Sequence, residues 1–164
     1  MKTLIRGGRL VTEIDSYKSD VLVEDGRIAE VGKDLAEPPD GEVYDASGKL
    51  VLPGVIDSHV HVALDKGGRV SSDFPATTRT AAFGGVTTFI TYLTPERVQT
   101  LSEALDVRLA QASKSCYVDF GLHASLVHWE DRTEDEIPEM IEARLPSFKA
   151  YTVYSESGLK STDE

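Results

Sequence analysis

His59 and His61 stand two positions apart in VIDSHVHV (55–62), and they are half of the four histidines in the chain. In an extended segment residues two apart share a face, so Asp57, His59 and His61 project together while Ile56, Ser58 and Val60 project the other way, toward the covering helices. Neutral imidazole is a common ligand of zinc and similar divalent ions, and two that converge could hold one between them. The alternative is a hydrogen-bonded pair of core histidines. Lys149, in SFKAYTVY (147–154), has apolar or aromatic neighbours on both sides. A buried ammonium is costly, so this lysine must pair, deprotonate, be modified, or keep its head in water at a strand mouth.

Such residues act together only if the fold gathers them. Apolar strand candidates begin near Val55 (VIDSHVHV), Val86 (VTTFITYL), Tyr117 (YVDFGLHASL) and Ser147 (SFKAYTVY), a spacing of 31, 31 and 30 residues that suits repeated βα units. Between them the sequence predicts a helix from Pro75 to Phe83 that stops at Gly84 and Gly85. A second is capped by Thr94, opens at Pro95 and is apolar along Val98, Leu101, Leu105, Leu109 and Ala112. A third begins at a Thr133/Glu136 capping box or at Pro138, with Met140, Ile141 and Leu145 on its face. Crossovers of this length make parallel strands, and active sites on such sheets lie at the strands' carboxyl ends.

Residues 1–53 differ in texture. Six short β-type runs (TLIRGG, RLVTE, DVLVEDG, RIAEVG, EVYDAS, KLVLP) alternate with turns, Asp25-Gly26 being a hairpin signal. The sequence thus divides into a small β-rich domain, 1–53, and an α/β domain, 54–164. With 40% apolar and 27% charged residues the composition is that of a globular protein. A net charge of −11 without a basic cluster argues against nucleic acid. Lys2, Arg6 and Arg9 interrupt the N-terminus, so no signal peptide or membrane span is expected there. Cys116, the single cysteine, cannot form an internal disulfide and reads as a buried thiol, which suits a reducing cytoplasm.

PGVIDSHVHV, SSDFPATTRTAAFGGVTTFITYL, DFGLHASL and SFKAYTVY, in this order and spacing, resemble the N-terminal half of a cyclic amidohydrolase, most like dihydropyrimidinases and D-hydantoinases. The resemblance implies the first half of a (β/α)8 TIM-type barrel, preceded by part of a small β-sandwich. It implies a metal-dependent hydrolase that opens a hydantoin or dihydropyrimidine type ring by attack of a metal-bridging hydroxide. Two divalent ions are implied, zinc first, with manganese, cobalt, nickel or iron as alternatives. His59 and His61 would hold the more buried ion, Lys149 would be carbamylated and bridge both, and Tyr154 would contact the substrate carbonyl and help stabilise the oxyanion. The partners implied are a small cyclic ureide or imide and further copies of the chain, as a dimer or tetramer, in the cytoplasm.

In the family two further histidines and an aspartate acting as general base come from later strands, and none is matched in these 164 residues. His123 and His128 read as scaffold or rim. The chain is therefore expected to be half an enzyme, inactive alone, that pairs with a copy or with its missing half or is poorly stable. The loop ALDKGGRVSSDF differs from the dihydropyrimidinase loop, leaving the ring substrate open, an allantoinase-type ureide included; Arg69 there reads as solvated. Dihydroorotases have an arginine where Ala63 stands, which argues against dihydroorotate. A non-catalytic, dihydropyrimidinase-like assembly protein is the competing class, and the joint presence of His59, His61 and Lys149 argues against it.

Overall fold

The computed structural model describes residues 1–63 and 72–153, and by its contacts the chain divides into two compact units, 1–53 and 54–164. In the first unit β1 (Lys2–Val11), β2 (Ser16–Glu24), β3 (Arg27–Gly32), β4 (Glu42–Asp45) and β5 (Leu50–Val51) form one mixed sheet of order β3-β2-β1-β4, with β5 also beside β1. The runs TLIRGG and RLVTE, expected as two strands, are the single strand β1. Gly7, at φ +72°, takes up a bulge there without ending the strand. Asp20, buried, accepts from Gly7 N at 2.7 Å and Leu35 N at 3.1 Å, which satisfies the donor the bulge frees. Asp25 and Gly26 make the expected two-residue hairpin, both at positive φ.

The second unit is α/β. Strands β6 (Val55–Asp57), β7 (Val86–Leu93), β8 (Asp119–Leu126) and β9 (Phe148–Ala150) form a parallel sheet in sequence order, joined by α1 (Phe74–Phe83), α2 (Leu101–Ser113) and α3 (Thr133–Glu142). One sheet face packs on the helices. Leu93, Leu122 and Ala124 meet Leu101, Ala104, Leu105, Met140 and Leu145, while Phe89 meets Val62, Phe74 and Ala112. Period-2 alternation then turns Tyr92, His123, Ser125 and Lys149 to the other face; Tyr92 stands opposite His123, and Ser125 opposite Lys149.

Several expected boundaries move. Helix α2 starts at Leu101, not at Pro95, because Thr100 and Glu103 satisfy each other's backbone N–H in a capping box. Thr94 instead donates its hydroxyl to Ser125 Oγ. Val98 and Leu109 lie outside the buried stripe, whose polar member is Arg108. In α3 Thr133 and Glu136 make no capping box: Thr133 Oγ1 accepts from Glu130 N, and Glu136 accepts from Leu101 N at the start of α2. The helix continues through Pro138, and Ile141 is exposed while Met140 and Leu145 are buried.

Gly54, immediately before β6, lies against Thr87; a Cβ there would stand 2.0 Å from Thr87 Oγ1 and 2.7 Å from its Cβ. Rotating Thr87 relieves the first contact but not the second. Gly54→Ala is therefore expected to cost roughly 1–3 kcal/mol by thermal or urea unfolding, since it presses β6 off β7. An unchanged midpoint would show that the two strands yield freely.

Candidate functional site

Strand β6 is shorter than the alternation in VIDSHVHV suggests: it ends at Asp57, whose Oδ1 accepts from His59 N at 3.1 Å. That contact turns the chain at the carboxyl end of the strand. Beyond it Val60 N donates to Ile90 O at 3.0 Å, so the histidine segment still runs beside β7. Val60 and Val62 pack into the Phe74/Phe89 cluster. Ile56, expected on the helix side, is 64% exposed. Among the described residues β6 pairs with β7 alone, and Ile56 takes no part in either apolar cluster.

The two imidazoles meet. His59 Nε2 and His61 Nε2 are 3.2 Å apart, with ring centroids at 5.1 Å and planes at 70°. Both rings rest on Tyr92, which is only 4% exposed. His61 stacks on it at 5.2 Å and 24°, His59 meets it edge-on at 5.2 Å, and the Tyr92 hydroxyl is 2.9 Å from His59 Nδ1. Burial holds the Tyr92 phenol above its ordinary pKa, with Tyr151 acting in the same direction, so the hydroxyl keeps its proton at neutral pH.

Lys149 reaches the same ring from β9. Its Nζ is 5.1 Å from the Tyr92 centroid and 5.3 Å from that of Tyr151, within the range of a cation–π contact. It is half-buried, neither sealed in the core nor wholly in water. Tyr92 thus touches His59, His61, Lys149 and also His123, whose ring lies at 5.4 Å and whose Nδ1 is 2.7 Å from Ser147 Oγ. His128 lies in the turn after β8 at φ +53°. Arg69 and Tyr154 fall outside the described residues. Cys116 is half-buried beside the Phe89 cluster, less enclosed than its sequence suggests, and burial raises its thiol pKa.

A pair of imidazole nitrogens is a plausible cation seat only at the right separation. Two ligands each about 2.0–2.1 Å from a tetrahedral zinc ion stand about 3.3 Å apart, close to the 3.2 Å between these Nε2 atoms. The donor set fits in kind as well as distance. Among the described residues no third His, Cys, Asp or Glu joins the pair, so any further ligand must be of another type or come from elsewhere.

Tyr92 and Arg108 were not visible as site residues in the sequence. Tyr92 reads there as one more aromatic in VTTFITYL, although its alternation with Phe89 and Leu93 marks it as turned away from the helices. Arg108 reads as a polar residue on α2; it is 7% exposed and donates through Nε to Tyr92 O at 3.1 Å and through Nη2 to Val62 O.

No protein-family model matches the chain. D-hydantoinase of Geobacillus stearothermophilus is 37% identical over 158 residues, which cover 95% of this chain and 33% of that protein. Dihydropyrimidinase of Dictyostelium discoideum is 38% identical over 164 residues, covering 98% of this chain and 32% of the relative. The crystal structure of dihydropyrimidinase from Brevibacillus agri superimposes with a TM-score of 0.91 at 33% identity, over 99% of this chain and 35% of that one. The chain spans about a third of the length of the relatives it matches. Near-complete coverage at this identity, together with the shared fold, shows that the chain belongs, as a segment, to the D-hydantoinase/dihydropyrimidinase family.

Proposed function

We propose that this segment supplies the first ligands of a metal-dependent site that opens the amide bond of a cyclic ureide or imide, of hydantoin or dihydropyrimidine type. The observation that carries the reading is the 3.2 Å approach of His59 Nε2 and His61 Nε2 at the carboxyl end of a parallel strand. A bound divalent ion would supply an activated water at neutral pH and polarise the ring carbonyl. His59 and His61 hold and orient that ion, zinc being the first candidate. Lys149, once carbamylated by carbon dioxide, is anionic and completes a second, shared site; Tyr154 binds the ring carbonyl and stabilises the developing oxyanion.

The same reading makes the sheet β6 to β9 the first part of a (β/α)8 barrel in a cytoplasmic homo-oligomer. Turnover then belongs to the protein that provides the remaining ligands and the general base, and the 164-residue chain alone is inactive. Neither nucleic acid nor a membrane is a partner in it; among the described residues no helix is long and apolar enough to cross a bilayer.

The test is zinc binding and ring opening measured side by side. His59→Ala combined with His61→Ala is expected to weaken zinc binding, read by competition with a chromophoric chelator, at least 100-fold, because both nitrogens of the first seat are gone. Unchanged zinc stoichiometry and affinity in that variant would sink the metal reading. With the complete protein, hydantoin or dihydrouracil ring opening should be lost in the same variant.

A further inference from the structure

Two directions are open to the hydrogen bond between Tyr92 and His59. If the hydroxyl donates, His59 Nδ1 is the acceptor and its proton sits on Nε2, facing His61. If Nδ1–H donates to the hydroxyl oxygen, the Nε2 lone pair of His59 is directed at the space it shares with His61. Only the second direction suits a cation. Both describe a neutral imidazole, so the choice is one of tautomer and no proton is gained or lost.

The surroundings of Tyr92 make it the fixed member of the pair. Its side chain is 4% exposed. Its carbonyl is held by Arg108 Nε, and the same guanidinium, lying 4.7 Å over the Phe74 ring, also donates to the carbonyl of Val62, the residue after His61. One buried side chain therefore ties the backbone under Tyr92 to the backbone beside the histidines. The imidazoles, by contrast, belong to exposed residues at the end of a three-residue strand. Tyr92 contacts both rings: His61 stacks on it and His59 is bonded to its hydroxyl, so one buried side chain fixes both imidazoles relative to each other.

We propose that Tyr92 is the positioning residue of the histidine pair: its hydroxyl accepts from His59 Nδ1, its ring seats His61, and together these present both Nε2 atoms to one divalent cation. The proposal rests on the metal reading above for what the pair holds, while the tautomer it assigns to His59 does not depend on it. The role assigned to Tyr92 acts through the two imidazoles.

Tyr92→Phe keeps the ring and removes the hydroxyl, which isolates the claim. Two measurements on the full chain decide it. In the first, imidazole nitrogen shifts of the metal-free protein should show wild-type His59 protonated at Nδ1 and the variant redistributed toward Nε2–H. In the second, zinc competition should show affinity about 10–100-fold weaker in the variant, the usual loss when an outer partner of a ligating histidine is removed, with near-native circular dichroism. Tyr92→Leu, which also removes the stacking surface, should lose more. Wild-type His59 protonated at Nε2, or a variant with unchanged tautomer and unchanged zinc affinity, overturns the proposal. If wild type binds no zinc at all, the metal reading fails, and the nitrogen shifts still decide whether Tyr92 sets the tautomer.

Discussion

Lys149→Ala is expected to lower kcat/KM for ring opening about 1,000-fold or more in the complete protein, equivalent to about 4 kcal/mol of transition-state stabilisation. The expectation follows from the surroundings of the side chain. Lys149 Nζ faces the Tyr92 and Tyr151 rings, and among the described residues no carboxylate pairs with it. Aromatic faces attract an ammonium, so an unmodified lysine is comfortable here. The same faces repel a carbamate, which would have to be drawn off them by cations seated near the histidines. On the proposed reading carbamylation and metal binding are therefore linked, and the unmodified amine over the two rings is the metal-free form. Lys149→Arg separates the two roles: it keeps a cation over the rings but cannot take up carbon dioxide. It should be as inactive as the alanine variant, and the intact mass of the wild-type holoprotein should exceed its sequence mass by one carbon dioxide. An arginine variant within about tenfold of wild-type activity would mean that the lysine serves only as a cation at the rim.

Arg108→Ala should destabilise the second unit by roughly 2–4 kcal/mol. The guanidinium is buried without a carboxylate among the described residues, and burial lowers its pKa from the ordinary arginine value. Its charge is compensated by carbonyl dipoles and a ring: Nε to Tyr92 O, Nη2 to Val62 O, Nη1 to Gln111 Oε1 at 3.3 Å, and the Phe74 face at 4.7 Å. Removing it strands two carbonyls and opens a cavity between α1, α2 and β7. Lysine is a poor substitute because a single ammonium cannot span both carbonyls in a fixed fork. Trp129, the single tryptophan, lies in this unit, so its fluorescence in a urea titration reports the transition directly. A change below about 0.5 kcal/mol would show that water replaces the guanidinium at no cost.

How much of this was legible beforehand differs between elements. The βα rhythm was plain, because a 30-residue period of apolar runs leaves few other ways to pair strands, and three of the four strands begin at or within one residue of the positions it marks. The fourth, β8, starts two residues late, at Asp119. The start of α2 was missed because Thr94-Pro95 and Thr100-x-x-Glu103 are both good local signals. The choice between them is made at long range, where Ser125 takes up the Thr94 hydroxyl. Glu136 was misassigned for the same reason: its partner, Leu101 N, is 35 residues away.

By itself the sequence determined which residues share a face. Alternation is a property of the extended backbone, so the pairing of His59 with His61 follows from spacing alone, while the face that Lys149 takes comes from the register of β9 on β8. Only the tertiary structure decided how close those residues come and what lies beneath them. Register across three parallel strands brings Tyr92 under the histidines and the lysine, and a helix on the opposite face contributes Arg108 to hold Tyr92 in place. The Arg108 contacts join residues up to 46 positions apart, through backbone carbonyls that carry no side-chain signature, which is why no local pattern announces them.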